Sequence, residues 1–274
     1  MTRTRDWVPD SVDVSVPSMA RTYDYMLGGA HNFAVDREVG QKIEQVMPGL
    51  RTAARVNRAF LKRVVRFMVD SGIRQFLDIG SGIPTVANVH EVAQLADPSC
   101  RVVYVDRDPI AVAHSELMLA TNDRAAIVKA DMRDPEHILD HPVTRSLIDF
   151  DQPVGLLFLL VLHWVPDESN PHALLARYRD ALAPGSFLAL THVSADHQDS
   201  TLTAATDVIK RSNSPDQITE RTHAQVTALF GDFDLVEPGL VGCGEWRPHG
   251  PGDISDRPNM NMLVYAGVAQ KPTP

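Results

Sequence analysis

From Val154 to Leu162 the chain carries no polar side chain, and no other feature constrains its fold as much. The run is about nine residues long, whereas a helix crossing a bilayer needs ~20. It must therefore be buried in protein, and a strand covered by helices on both faces, in the middle of a parallel sheet, reads this way. From about residue 75 onward, short β-branched runs alternate with longer amphipathic stretches, the pattern of βαβ units. Seven strands are expected: Gln75–Ile79, Arg101–Val105, Ala126–Lys129, Val154–Val161, Phe187–Thr191, Phe233–Val236 and Met262–Val268.

Three Asx-Pro pairs mark helix starts: Asp108-Pro109, Asp134-Pro135 and Asn170-Pro171. The Asx oxygen accepts from first-turn N–H groups, and proline at the first helical position gives up an N–H that has no partner there. Helices are expected over Pro109–Thr121, Pro135–Asp140 and Pro171–Leu182, with another over Thr85–Leu95. Before the first strand, residues 19–74 show helical periodicity only, broken at Gly28-Gly29 and Pro48-Gly49, and read as an N-terminal helical cap on the domain at 75–270. Within the cap Arg51, Arg55, Arg58, Lys62 and Arg66 form one stripe and Val56, Phe60, Val64 and Phe67 the opposing one. The cationic stripe is expected to be a solvated outer face.

Residues 1–18 read as a flexible tail, since Arg3 and Arg5 are followed by no apolar stretch of the secretory kind. With no span and no leader, the chain is expected in the cytoplasm, away from membranes. The 26 basic and 35 acidic side chains leave a net charge of −9, which speaks against a nucleic-acid partner because phosphate neutralisation needs surplus Lys and Arg. Cys100 and Cys243 are too far apart in sequence for a metal knuckle, and His137 and His141, although four residues apart, are followed by Pro142 and have no third ligand nearby, so no metal is expected.

The sharpest constellation is Asp78-Ile79-Gly80-Ser81-Gly82-Ile83-Pro84-Thr85, where the first strand gives way to a helix. Glycines let the backbone turn and approach a ligand closely, and a helix start offers unpaired N–H groups. A dinucleotide fingerprint would place a third glycine where Thr85 stands, and an acid two residues before Gly80 disfavours a pyrophosphate. Asp78 suits a ligand with an ammonium group, which S-adenosylmethionine carries along with its sulfonium. Asp106 ends the second strand at the spacing where a carboxylate meets ribose hydroxyls, with Arg107 beside it. Asp108 is read as a helix cap. After the third strand, Asp131 can accept from an adenine amino group and Met132 can pack on the ring, with a plain surface acid as the competing reading. Ser81, Gly82 and Val161 complete the expected cofactor contacts.

These residues carry a resemblance. Asp-x-Gly-x-Gly after strand one, an acid ending strand two and Ala130-Asp131-Met132 resemble the Rossmann-like S-adenosylmethionine-dependent methyltransferases. The segments Tyr23 to Phe33, Asn57 to Leu61, Gln75 to Thr85 and Leu162 to Asp167 resemble, more narrowly, an actinobacterial S-adenosyl methyltransferase family that was formerly a domain of unknown function. The likeness runs from about Pro17 to Gln270, and Pro84 agrees with the narrower family. It implies an α/β fold with a seven-stranded methyltransferase sheet, strand seven antiparallel, helices on both faces, and an adenosylmethionine pocket. It defines no acceptor, for which a small molecule is expected.

Methyl transfer needs an aligned nucleophile and, where required, a base. The segment leaving strand four faces the carboxyl ends of the strands, where open α/β sheets bind ligands. His163 there is read either as general base or as a residue that only bonds backbone beside the cofactor, and Trp164 as a wall or as core. Gly28-Gly29, beside Tyr25 and His31, is read either as the hinge of a lid that carries those side chains to the acceptor or as a simple helix cap. Two other functions stay open on sequence: a non-catalytic adenosylmethionine sensor and an NAD-dependent oxidoreductase.

Overall fold

The structure, a computed structural model, describes residues 12–85, 87–196, 200–250, 253–255 and 258–273. Three helices come first: α1 (Met19–Leu27), α2 (Ala34–Val46) and α3 (Leu50–Asp70). The expected breaks are where they turn. Gly28 ends α1 with φ of 85°, its N–H donating to the Asp24 and Tyr25 carbonyls, a left-handed conformation that costs glycine nothing. Asp36 fixes the start of α2 by accepting from Phe33 N at 2.8 Å, and it also takes Arg21 Nε at 3.0 Å and Ser18 N at 2.9 Å. One buried acid thus joins the beginnings of two helices.

The alternating part follows as β1 (Gln75–Ile79), α4 (Val89–Ala96), β2 (Arg101–Asp106), α5 (Pro109–Leu119), β3 (Ala125–Lys129), α6 (Pro135–Asp140), α7 (Pro142–Leu147), β4 (Gly155–Leu159), α8 (Pro171–Asp180), β5 (Phe187–Val193) and α9 (Ser200–Arg211). The chain closes with α10 (His223–Ala228), β6 (Asp234–Leu235), β7 (Val241–Gly242), α11 (Pro258–Met262) and β8 (Val264–Gln270). The sheet order is β3-β2-β1-β4-β5-β8-β6, with β7 also on β8. The first five strands are parallel and β8 runs antiparallel to β5. The apolar run does form a central strand, between β1 and β4's other neighbour β5, and the order reverses between β1 and β4. At such a switch point the two crossovers leave toward opposite faces and open a crevice at the carboxyl ends.

Alternate residues of the strands feed two cores. Phe76, Tyr104, Leu157 and Ala189 pack toward α3 and α4. Leu77, Val103, Phe158 and Leu190 pack toward α6, α8 and α10. This is the period-two alternation of a sheet covered on both sides.

Four expectations need correction. The sheet has eight strands among the described residues, because a two-residue β7 joins β8, and β6 is shorter than Phe233–Val236. The last strand starts at Val264, since Met262 ends α11. The helix after the glycine loop begins at Val89 rather than Thr85: Asn88 Oδ1 accepts Thr85 N at 3.1 Å, Asn88 N donates to Glu91 Oε2 at 2.8 Å, and this box sets the start. The tail ends before Ser18. Residues 1–11 lie outside the described residues, Pro17 is buried, and Ser18 Oγ donates to Asp108 Oδ2 at 2.5 Å. The longest described helix, α3, has charged residues throughout, and no described helix is long and apolar enough to cross a membrane.

Candidate functional site

The site begins where β1 stops. Gly80 has φ of 70°, and a Cβ there would sit 2.3 Å from Val161 Cγ2. Only glycine lets the loop turn this close to the segment leaving β4. Gly80 N and Ser81 N both donate to Val105 O, at 2.8 and 3.1 Å, which holds the loop on β2. Asp106 then binds the two loops together: Oδ2 accepts Gly82 N at 2.7 Å and Oδ1 accepts Asp108 N at 2.8 Å. Each carboxylate oxygen keeps a lone pair for a diol. Burial raises the Asp106 pKa to about 6 against the pull of those N–H groups. Asp108 itself caps α5, accepting Ile110 N at 2.8 Å.

Asp78 differs from its neighbours. It is 5% exposed, and no hydrogen bond reaches its carboxylate among the described residues. Burial first, with Asp106 adding repulsion and Arg58 opposing, raises its pKa to about 7. Ser81 Oγ nearby is also buried without a partner. Beyond β3, Asp131 accepts Arg133 Nε at 2.9 Å and pairs with Arg107, which bridges on to Asp216. Burial works against its charge, but the Arg133 bonds outweigh it and hold the pKa near 2. Tyr178 Oη donates to Met132 O at 2.8 Å and so fixes that turn.

The segment after β4 is clamped. Leu160 sits at φ of 52°, strained for a branched side chain, and its N–H donates to Thr191 Oγ1 at 2.8 Å. Arg221, 1% exposed, donates to Leu162 O at 3.2 Å, Val165 O at 2.7 Å, Asp167 Oδ1 at 2.7 Å and His192 Nε2 at 2.8 Å. Thr219 N holds His163 O at 2.8 Å. His163 is buried, its Nδ1 has no partner, and burial, His192 and Arg221 all push its pKa well below the ordinary value. Its imidazole is therefore neutral, with a lone pair to give. His192 is a fully buried, hydrogen-bonded residue, donating from Nδ1 to Val193 O at 2.8 Å, its pKa lowered to about 4 chiefly by burial.

All of these segments line one cavity of about 640 Å³, within the ~300–1,000 Å³ typical of ligand sites. Asp78, Gly80, Ser81, Gly82, Asp106, Arg107, Asp131, Met132, Val161, His163 and Trp164 all reach it. Tyr25 and His31 do not. The Tyr25 ring lies under Arg51 at 4.5 Å and the His31 ring meets the His114 ring at 3.8 Å, tilted by 47°, so both are engaged outside the cavity. Tyr23 lines the cavity instead, with Asn57 and Arg58 of α3. The cationic stripe divides accordingly: Arg55, Lys62 and Arg66 face solvent, whereas Arg58 turns inward. Tyr23, Asn57 and Arg58 have no spacing signal of their own, although the family-like segments include them. The far wall on α9 has no sequence signal beyond helical periodicity.

A family model described as S-adenosyl methyltransferase matches residues 5–272. The chain belongs to the S-adenosyl methyltransferase family. A candidate methyltransferase from Thermobifida fusca is similar to it at 41% identity, covering 97% of this chain and 99% of that one, with a TM-score of 0.91. A DUF574 family protein from Streptomyces avermitilis is similar at 37% identity over 95% of this chain and 99% of that one, with a TM-score of 0.90. At 16% identity, 88% coverage of each chain and a TM-score of 0.50, the fold is shared with 1,6-didemethyltoxoflavin-N1-methyltransferase from Burkholderia thailandensis, determined with its namesake compound and S-adenosylhomocysteine. No curated protein matches. The cofactor of this methyltransferase is S-adenosylmethionine, and the residues present fit it. A buried carboxylate without a hydrogen bond, next to an unpartnered hydroxyl, needs a cationic donor, which the methionyl ammonium is.

Proposed function

We propose that this methyltransferase acts on a small molecule enclosed in the cavity, with Asp78 receiving the methionyl ammonium, Asp106 the ribose hydroxyls, and Asp131 and Met132 the adenine. Arg58, inward-facing and attractive toward Asp78, is placed to meet the methionyl carboxylate. The observation that supports a small acceptor is the roof. Residues 12–23, α1, α2 and the first half of α3 border the same cavity as the glycine loop, which leaves a small acceptor about 640 Å³ to share with the cofactor.

When bound, adenosylmethionine supplies a methyl carbon already activated by positive sulfur. The chain's own groups then have three tasks. Asp78 and Asp106 set the cofactor's two polar ends. The turn Leu162–Trp164, pinned by Arg221, holds the acceptor's atom in line. His163, neutral by burial, takes the acceptor's proton at Nε2, since its Nδ1 is sealed from the cavity. No covalent intermediate on the chain is needed, because the methyl carbon passes directly from sulfur to the acceptor.

The test is a transfer assay with labelled adenosylmethionine against a small-molecule panel, with proteins and nucleic acids as comparison. Transfer to a small molecule supports the reading, with His163→Ala lowering kcat by about 10²–10⁴ while cofactor affinity holds. Transfer only to a macromolecule overturns it.

A further inference from the structure

The half of the cavity away from Asp78 differs in chemistry from the nucleotide half. On α1, Met19, Tyr23 and Met26 recur at helical spacing, Ile43 of α2 and its C-cap Met47 follow, and α9 adds Leu202, Ala205 and Ile209. Each helix turns one apolar stripe to the cavity, and α2 packs on α9 to close the chamber. Leu263 and Val264, at the start of β8, complete the wall.

Every charged residue reaching the cavity lies elsewhere or is already engaged. Arg21 is bonded to Asp36 at 3.0 Å. Arg107 is held by Asp131 and Asp216. Asp108 caps α5, and Asp13 is exposed at the rim. Arg58, Asp78 and Asp106 belong to the cofactor half. The polar groups that face the apolar half form a closed chain: Thr191 Oγ1 donates to Asn57 Oδ1 at 2.8 Å, Asn57 Nδ2 to Tyr23 Oη at 3.1 Å, and Tyr23 Oη to Ala54 O at 3.2 Å. That leaves the Tyr23 hydroxyl one lone pair and the His163 imidazole, whose Nδ1 is sealed, its Nε2. Arg58 acts on Tyr23 as well as on Asp78, but with the cofactor bound it is taken by the methionyl carboxylate, so an acceptor here loses its hydration without gaining a counter-charge of its own. An ionised group is disfavoured while apolar area is rewarded.

We propose that the acceptor is an uncharged, predominantly apolar small molecule, seated between α1, α2 and α9, whose single nucleophilic group is met by Tyr23 and His163. The inference rests on the methyl-transfer reading of the same cavity.

The experiment uses the full chain with saturating adenosylhomocysteine and compares two probes of one skeleton, 2-naphthol and 2-naphthoate, by calorimetry. Naphthol is expected to bind with one-to-one stoichiometry and at least about tenfold tighter than naphthoate. Ala205→Trp fills the chamber from α9 and should abolish naphthol binding while adenosylhomocysteine affinity holds. Where that variant fails to fold, the probe pair on the parent protein decides alone. Equal or tighter binding of naphthoate, binding of neither probe to a protein that binds adenosylhomocysteine, or displacement of naphthol by the nucleoside overturns the apolar acceptor. Failure to bind adenosylhomocysteine overturns the cofactor reading beneath it.

Discussion

Cofactor affinity should depend on pH through Asp78, and the size of the effect can be worked out. Burial raises its pKa from 3.8 to about 7, and a ligand ammonium can pair only with the ionised form. With a pKa of about 7, roughly three quarters of the protein is competent at pH 7.5 and about 3% at pH 5.5, so affinity falls about 25-fold, or roughly 1.9 kcal/mol. Above pH ~7.7–8.0 an ordinary α-amino group loses its own proton, so the profile should be bell-shaped with its maximum near neutrality. The assay is calorimetry of adenosylmethionine from pH 5.5 to 8.5 in buffers of different ionisation heat. At pH 6 Asp78 alone should release nearly one proton per ligand bound. His163 and His192, both held neutral by burial, do not titrate in this window, whereas Asp106, at about 6, adds its own step at the acid end. Asp78→Asn should therefore weaken binding and remove the part of the acid limb centred near 7, leaving that of Asp106. A flat profile in the parent protein, with no proton released, would refute the pairing.

The same group makes a stability prediction of opposite sense. Because the folded pKa is raised, the folded state is penalised once the carboxylate ionises: the penalty is absent below pH ~4, grows as pH rises, and is complete above about 7. Asp78→Asn should therefore melt higher than the ligand-free parent at pH 7.5, by up to about 4 kcal/mol, with the difference vanishing toward pH 4. Gly80→Ala places a Cβ 2.3 Å from Val161 Cγ2 at a left-handed φ, and should cost about 2 kcal/mol in urea melts and much of the cofactor affinity. Arg221→Met leaves the Val165 carbonyl unpaired in the interior and Leu162 O with the Val165 N–H alone, and a loss of about 2 kcal/mol is expected by the same melts. Tyr25→Ala and His31→Ala lie off the cavity, so calorimetry should find cofactor affinity within about twofold of the parent; a large loss in either would restore the lid.

What was legible in the sequence is what depends on neighbours along the chain. Asp108, Asp134 and Asn170 each accept from a first-turn N–H as their Asx-Pro setting implies, and the acids at the ends of β1, β2 and β3 fall around one crevice because parallel strands end together. What was not legible depends on which way a helix faces. Tyr23 and Tyr25 are two residues apart, about 200° around a helix, and only packing against α3 decides that Tyr23 looks inward. Arg58 leaves its stripe for the same reason: steps of three and four spread the five cations over about 80° around the axis, and Arg58 stands at the edge of that spread that meets the cavity. Thr85 failed as a helix start because the Asn88 side chain had already taken its N–H, a competition between two good caps that local spacing cannot rank.

The short segment before α1 then has a physical role that its polar composition hides. Ser18 donates its N–H to Asp36 at 2.9 Å and its hydroxyl to Asp108 at 2.5 Å. Asp36 holds Arg21 of α1 and the start of α2, while Asp108 N is held by Asp106, whose other oxygen takes Gly82 N. The Ser18 bonds thereby help register the roof of the acceptor chamber against the loop that carries the ribose acid, beside the apolar contact of Phe33 with Ile83 and Ile110. An error in the roof's position would misalign the acceptor with the methyl group, and in-line transfer tolerates about an ångström. Ser18→Ala removes the bond to Asp108 and keeps the backbone bond to Asp36, so it should lower kcat more than it lowers cofactor affinity. Equal loss in both would mean that Ser18 serves the nucleotide loop and leaves the roof untouched.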